Sequence, residues 1–262
     1  MNARLRNVRL RMLARRELQV RPRQPIVSFS FDDVLADATH AGLQIMQRHG
    51  IQATWYVATG LIGSAGPHGP HASESDLKRL QGTGQEIAAH GVSHRMVTKL
   101  QDSEILQEAD ACEAGLRSVL GQAAAPHYAY PEGAVTLAAK RLLGKRYLTL
   151  RTVRPGIMRG RCDASLLRGT PIYGGASAFP AIATMLDDLA ARPGWLIFYA
   201  HDIRDNHSAY GATAELLEKV AAHSRALGVQ CLSVGQAYQQ LTQGSAVTVP
   251  ESDQATRNAS GS

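Results

Sequence analysis

Apolar and small polar residues alternate from Ile26 to Phe31, as Ile-Val-Ser-Phe-Ser-Phe. This period-two run, rich in β-branched and aromatic types, predicts a buried strand. Further strand-like runs fall at 53–57, 86–90, 127–131, 147–153, 166–173, 195–201 and 229–234. Stretches of helical period lie between several of them. Ile105, Ala109, Cys112, Leu116 and Val119 form one apolar stripe. Leu216, Leu217, Val220, Ala221 and Leu227 form another, stopped by Gly228. Repeated strand–helix alternation argues for an α/β fold with a parallel sheet covered by helices, and about eight units argue for a (β/α) barrel.

The 262 residues are 44% hydrophobic, 19% charged and only 5% aromatic, which suits one large domain with an aliphatic core. The net charge of +6 is concentrated at one end. Arg4, Arg6, Arg9, Arg11, Arg15, Arg16, Arg21 and Arg23 precede the first long strand, with Glu17 the only acid among them. Residues 1–24 therefore read as an Arg-rich lead, 25–242 as the catalytic domain and 243–262 as a Gly/Ser/Asn-rich disordered tail. Leu5, Val8, Met12 and Leu13 could stripe a basic helix that touches an anionic membrane surface; a solvated or docked arm is the preferred reading. The body is close to neutral, so a nucleic-acid partner is not expected. Cys112, Cys162 and Cys231 are widely spaced and odd in number, which favours free thiols and a cytoplasmic, at most membrane-peripheral, protein. No apolar run reaches membrane-span length, and arginines interrupt any signal-peptide core.

Chemistry-bearing residues gather at predicted strand ends: Asp32-Asp33, His90 with His94, Tyr130-Pro131-Glu132-Gly133, and His201-Asp202. In barrels, the C-terminal strand ends converge on one mouth. Adjacent carboxylates at a strand end repel each other, so a metal or a proton-transfer task would account for them better than stability. His90 and His94 are four apart, on one face if the chain turns helical there. Two imidazoles and a carboxylate suit a catalytic divalent metal that lowers the pKa of its water, and a second carboxylate could take the water's proton. His68 and His71, in a Gly/Pro-containing loop at 60–73, are secondary candidates for substrate contact. His127 and the remaining histidines read as structural, and Trp195 as packing.

These motifs, in this order, resemble those of the polysaccharide deacetylase family, the NodB-homology fold of carbohydrate esterase family 4. The resemblance spans roughly residues 26–240. It implies a distorted (β/α) barrel that removes acetyl groups from sugars with a bound divalent metal, commonly Zn2+. By position it implies Asp32 as catalytic base, Asp33, His90 and His94 as metal ligands, and His201 as catalytic acid. Tyr130, Pro131 and Glu132 would form the oxyanion loop, with the backbone N–H of Glu132 as donor.

Two family features lie elsewhere or are missing. The arginine usually found just upstream of the third motif is replaced by His127, Tyr128 and Ala129; Arg151 or Arg154 is expected to substitute. The aspartate that supports the catalytic histidine is not recognisable, leaving Asp163 and Asp202 as candidates. The expected activity is deacetylation of an N-acetylated sugar, a cytoplasmic or lipid-linked precursor of a surface polysaccharide. The alternatives are an amidohydrolase acting on a small cyclic or linear non-sugar amide, and a metal-dependent saccharide-binding module without turnover.

Overall fold

A computed structural model describes Leu10 and residues 12–243. Strand β2 (Ile26–Asp32) is buried along its whole length, on both faces, as expected of a parallel-sheet centre. One edge pairs with β11 (Trp195–Ala200), from Trp195 opposite Ile26 to Ala200 opposite Phe31. The other edge is shared. β12 (Gln230–Cys231) takes Ile26 and Val27, and β3 (Thr54–Val57) takes Ser30 to Asp32. Beyond β3 follow β6 (Glu86–Ala89), β7 (Ala125–Ala129) and β8 (Thr149–Arg151); β10 (Thr170–Pro171) flanks β11. Every pairing in this sheet is parallel. A parallel bridge between Arg151 and Leu167 joins β8 to the segment entering β10, curling the sheet into a distorted barrel.

Helices α1 (Leu43–Arg48), α2 (Glu74–Gly82), α3 (Asp102–Leu120), α4 (Leu137–Leu143), α5 (Phe179–Ala191) and α6 (Ala214–Ala226) cover it. The stripe foreseen on α3, Ile105 through Val119, is buried, and α3 ends at Gly121 in the left-handed conformation that glycine tolerates. Phe31 stacks on Trp55 with ring centroids 4.1 Å apart inside a largely aliphatic core.

Several elements differ from expectation. The run at 229–234 yields only β12, because Ser233 starts a helix, α7 (Val234–Gln243). Ser233 Oγ accepts the Gln236 N–H and Gln236 Oε1 accepts the Ser233 N–H, a reciprocal cap of the Ser-x-x-Gln type. The run at 166–173 reduces to β10, since Pro171 lacks an N–H and Gly169 lies against the Arg151 side chain. The loop at 60–73 holds a two-stranded hairpin, β4 (Ala65–Gly66) with β5 (Gly69–Pro70).

The lead expected over 1–24 contributes structure of its own. β1 (Glu17–Val20) pairs antiparallel with β9 (Gly160–Asp163). The Arg16 guanidinium donates to the carbonyls of Gly144, Tyr147 and Leu148 at 2.6 Å each. Lys140, fully buried, donates to the Leu10 and Leu13 carbonyls and pairs with Asp163 Oδ2 at 2.6 Å. Leu148 directly precedes β8, so this segment docks at the N-terminal ends of the strands, opposite the mouth. Leu5 and Val8, and the tail from residue 244, lie outside the described residues.

Candidate active site

β2 ends in Asp32, and the chain then turns through Asp33 and Val34 at φ 59° and 52°. A left-handed β-branched residue is strained, and strain of this kind persists where the surroundings over-determine it. The turn separates the two carboxylates. Asp32 stays inside the barrel, and Asp33 reaches the histidines. His94 and Glu132 also sit at φ 54°, so four of the five non-glycine residues with positive φ among the described residues belong to this mouth.

His90 follows β6 directly. Its Nδ1 lies 2.8 Å from the Ala129 carbonyl, which can only accept, so Nδ1 carries the proton and Nε2 faces the site. The segment from His90 to His94 is irregular, not the helical turn expected from their spacing. Gly91 (φ 81°) bends it, and Glu108 of α3 captures it. Glu108 Oε2 accepts the Val92 and Ser93 N–H groups at 2.8 and 3.0 Å, and Oε1 accepts the Ser93 hydroxyl at 2.6 Å. The imidazoles of His90 and His94 are thereby held 4.9 Å apart between centroids.

Asp33 Oδ1 lies 3.4 Å from His90 Nε2 and 3.1 Å from His94 Nε2. It is buried with no aligned hydrogen-bond partner, and one donor atom from each of the three residues falls within 4.8 Å of the others. An orphaned carboxylate oxygen facing two imidazole nitrogens fits a divalent metal bound by two histidines and one carboxylate. Burial alone would raise the Asp33 carboxyl. The adjoining His90 and the charges of His94 and His201 outweigh it and hold Asp33 well below the usual carboxylate range. Burial would lower His90, but Asp33 and Asp32 raise it above the ordinary imidazole value. His94 is pushed down by burial and by the charge of His90.

Asp32 is met by Arg151, at the end of β8. Arg151 Nη2 donates to both Asp32 oxygens at 2.5 Å. The guanidinium lies 5.1 Å from the centre of the Tyr56 ring and 4.9 Å from that of Tyr199, so the cation is fixed by two aromatic faces as well as by the carboxylate. Of the two arginines expected near Asp32, this contact is made by Arg151; Arg154 follows β8 in the adjoining loop, its N–H on Thr152 Oγ1.

His201 follows β11. Its Nδ1 donates to the Tyr210 carbonyl at 3.1 Å, which turns Nε2 away from that carbonyl. Asp202 does not contact this imidazole as its orienting partner. It is buried and holds the loop, accepting the Ser208 N–H (2.7 Å), the Ser208 hydroxyl (2.6 Å) and Arg204 Nε (3.1 Å). Asp163 serves the docked lead, accepting the Arg16 N–H and pairing with Lys140. A backbone carbonyl therefore stands where a supporting aspartate was sought.

A cavity of about 750 Å3 gathers Asp32, Asp33, His90, His94, Glu132 and His201. His68 and His71 also line it, as do Tyr173, Tyr199 and Tyr210, which the sequence reading left unassigned. Of the third motif only Glu132 faces the cavity. Tyr130 and Pro131 are buried, with the Tyr130 hydroxyl directed at the Ser165 carbonyl. His127 is buried with Nδ1 against Thr149 Oγ1, and Trp195 donates to Ser28 Oγ, both structural as expected. Glu108 had no visible signal: it is one polar position beside the apolar stripe of a long helix.

Residues 19–149 match the family described as polysaccharide deacetylase. Solved structures of similar fold include the Xyl-CE4 domain of a multidomain xylanase from the hindgut metagenome of Trinervitermes trinervoides. It is 18% identical, with 84% of this chain and 92% of that one covered and a TM-score of 0.57. The peptidoglycan deacetylase PdaC from Bacillus subtilis is 17% identical over 86% and 95% of the two chains, with a TM-score of 0.53. BA3943, a CE4 family pseudoenzyme from Bacillus anthracis, is 12% identical over 85% and 68%, with a TM-score of 0.57. No curated protein matches the chain in sequence.

Proposed function

The chain belongs to the polysaccharide deacetylase family, and on that premise we propose that it hydrolyses the amide of an N-acetylated sugar, releasing acetate and leaving the free amine. The observation that carries this reading is the Asp33–His90–His94 group in the same mouth as an arginine-held Asp32 and a carbonyl-oriented His201. Asp33, His90 and His94 would hold a divalent metal, zinc by the nature of the donors, which when bound polarises a carbonyl oxygen and acidifies a water.

Asp32 would accept the proton of the attacking water. Arg151 orients its carboxylate, and each Asp32 oxygen keeps a further lone pair for that proton. The new C–O bond forms as the carbonyl oxygen gains charge, and the backbone N–H of Glu132 would donate to it. His201 Nε2 would protonate the amine nitrogen as the C–N bond breaks. The missing upstream arginine favours a non-catalytic saccharide binder only if nothing replaces it, and Arg151 supports turnover instead.

We further propose a cytoplasmic saccharide precursor as substrate, which the three free cysteines favour. No helix among the described residues is long and apolar enough to cross a membrane. The docked part of the Arg-rich lead faces away from the mouth, so a membrane bound there would not present its lipids to the site.

The test is acetate release from acetylated sugars, with and without zinc, by the wild type and Asp32→Asn, alongside a panel of cyclic amides. Zinc-dependent release lowered about 10²–10⁴-fold in Asp32→Asn supports the assignment. Turnover of cyclic amides alone, or zinc binding with no acetate from any sugar, overturns it.

A further inference from the structure

The loops after β3 and β11 flank the β2 turn that carries Asp33, because the sheet order there is β11, β2, β3. Their tips meet. The rings of His68 and Tyr210 lie 5.3 Å apart at 75°, an edge-to-face contact between two different loops. Arg204 locks that meeting. Its Nη2 donates to the His68 carbonyl at 2.6 Å, its Nε to Asp202 Oδ2 at 3.1 Å, and its Nη1 lies 3.5 Å from Asp37 Oδ2. The base of the β4–β5 hairpin is tied to the β2 turn as well, through the Ala72 N–H on the Val34 carbonyl and the bridge between Leu35 and His71. One flank of the cavity is thus a wall of two loops, pinned by a shared cation.

A saccharide whose acetamide reaches Asp33 and His94 meets this wall toward β3 and β11. A saccharide packed there would extend away from it, toward the loops after β6 to β8, whose Ser93, His94, Glu132 and Val153 also line the cavity. A groove open at both ends admits the middle of a polymer, whereas a groove walled at one end admits a chain end. The cavity volume of about 750 Å3 lies within the range of small-ligand pockets (roughly 300–1,000 Å3).

Resting on the deacetylase reading, we propose that the substrate residue is a terminal N-acetylated sugar whose outer edge packs against the His68–Tyr210 bridge. Both rings offer apolar surface to the C–H face of a sugar, and His68 and Tyr210 act as specificity-determining residues.

The experiment uses the zinc-loaded full chain with N-acetylglucosamine tetrasaccharide. Tandem mass spectrometry locates the residue that loses acetyl, and saturation-transfer NMR on Asp32→Asn locates the ring in contact with protein. A terminal residue should be deacetylated about tenfold or more over internal ones. Tyr210→Ala and His68→Ala, each checked for an unchanged melting temperature, should erode that preference by raising internal deacetylation. Equal deacetylation of all positions, or a terminal preference unmoved in both variants, overturns the proposal while leaving the deacetylase reading intact. If no acetate is released, that reading fails. NMR contact confined to a terminal ring would still support the wall, and uniform or absent contact would overturn it.

Discussion

Arg151, at the end of β8, reaches across the barrel interior to place one guanidinium nitrogen 2.5 Å from both oxygens of Asp32, at the end of β2. Both side chains are almost wholly buried. Removing one partner of a buried pair strands the other. Arg151→Met should therefore cost about 3–5 kcal/mol in urea unfolding and lower turnover about 10²-fold or more. Arg151→Lys should recover most of the stability but little of the turnover, because a single ammonium lacks the planar geometry held between Tyr56 and Tyr199. Full activity in Arg151→Met would separate this pair from catalysis.

Glu108 shapes the candidate metal site without touching it. It holds the Val92 and Ser93 amides and the Ser93 hydroxyl, and so the path of the chain into His94. Loss of such a supporting contact typically lowers metal affinity about 10–100-fold. Glu108→Gln should weaken cobalt binding, followed by its visible absorption, by that factor while its circular dichroism stays native. Unchanged affinity would show that the loop keeps its shape unaided.

Acid should loosen the mouth before the core. Burial would raise the carboxyls of Glu108 and Asp202, but their hydrogen bonds, to Ser93 and Val92 and to Ser208, hold both below their ordinary values of 4.5 and 3.8. The unfolded chain therefore binds more protons at these groups. Their stabilisation is fully present above the ordinary values and is lost as pH falls through the lower native ones. Below about pH 5 the urea midpoint of the metal-free protein should decline as the pH falls. In the double variant Glu108→Gln, Asp202→Asn the decline should be shallower. A midpoint that climbs on acidification is the contrary result.

Gly133 sets the position of Glu132. It sits at φ 65°, and a Cβ there would come within 2.3 Å of Val153 Cγ2 and 2.9 Å of the Val153 backbone nitrogen. Gly133→Ala should cost more than the roughly 1 kcal/mol of a left-handed alanine, because backbone must also shift, and it should reduce acetate release. Gly50→Ala provides the control. Its φ is 61° with nothing within 4 Å, so it should show the smaller stability loss alone.

The alternation of strands and helices, the buried β2 and the apolar stripe of α3 were legible in the chain, because burial leaves a period that residue types must obey. The clustering of Asp32, Asp33, His90, His94 and His201 was also legible, because parallel strands deliver their C-terminal ends to one mouth. Local rules already held the signal for α7. Ser233 and Gln236 have the spacing of a reciprocal cap, but the strand pattern at 229–234 covered it.

Other features had no local signature at all. Nothing within residues 127–154 says which arginine faces Asp32. That depends on which β8 position points inward and how far the barrel curls. Glu108 is one glutamate among several on α3 until the His90–His94 loop folds against it. The pairing of His68 with Tyr210, and of Tyr210's carbonyl with His201, joins residues far apart in sequence through loops with no repeating pattern. The sequence by itself determined the fold class and which ionisable side chains stand at the strand ends, since periodicity and residue type are properties of short stretches. Only the tertiary structure decided which groups orient them and which side of the mouth is walled, since those depend on distances between chain segments that no short stretch contains.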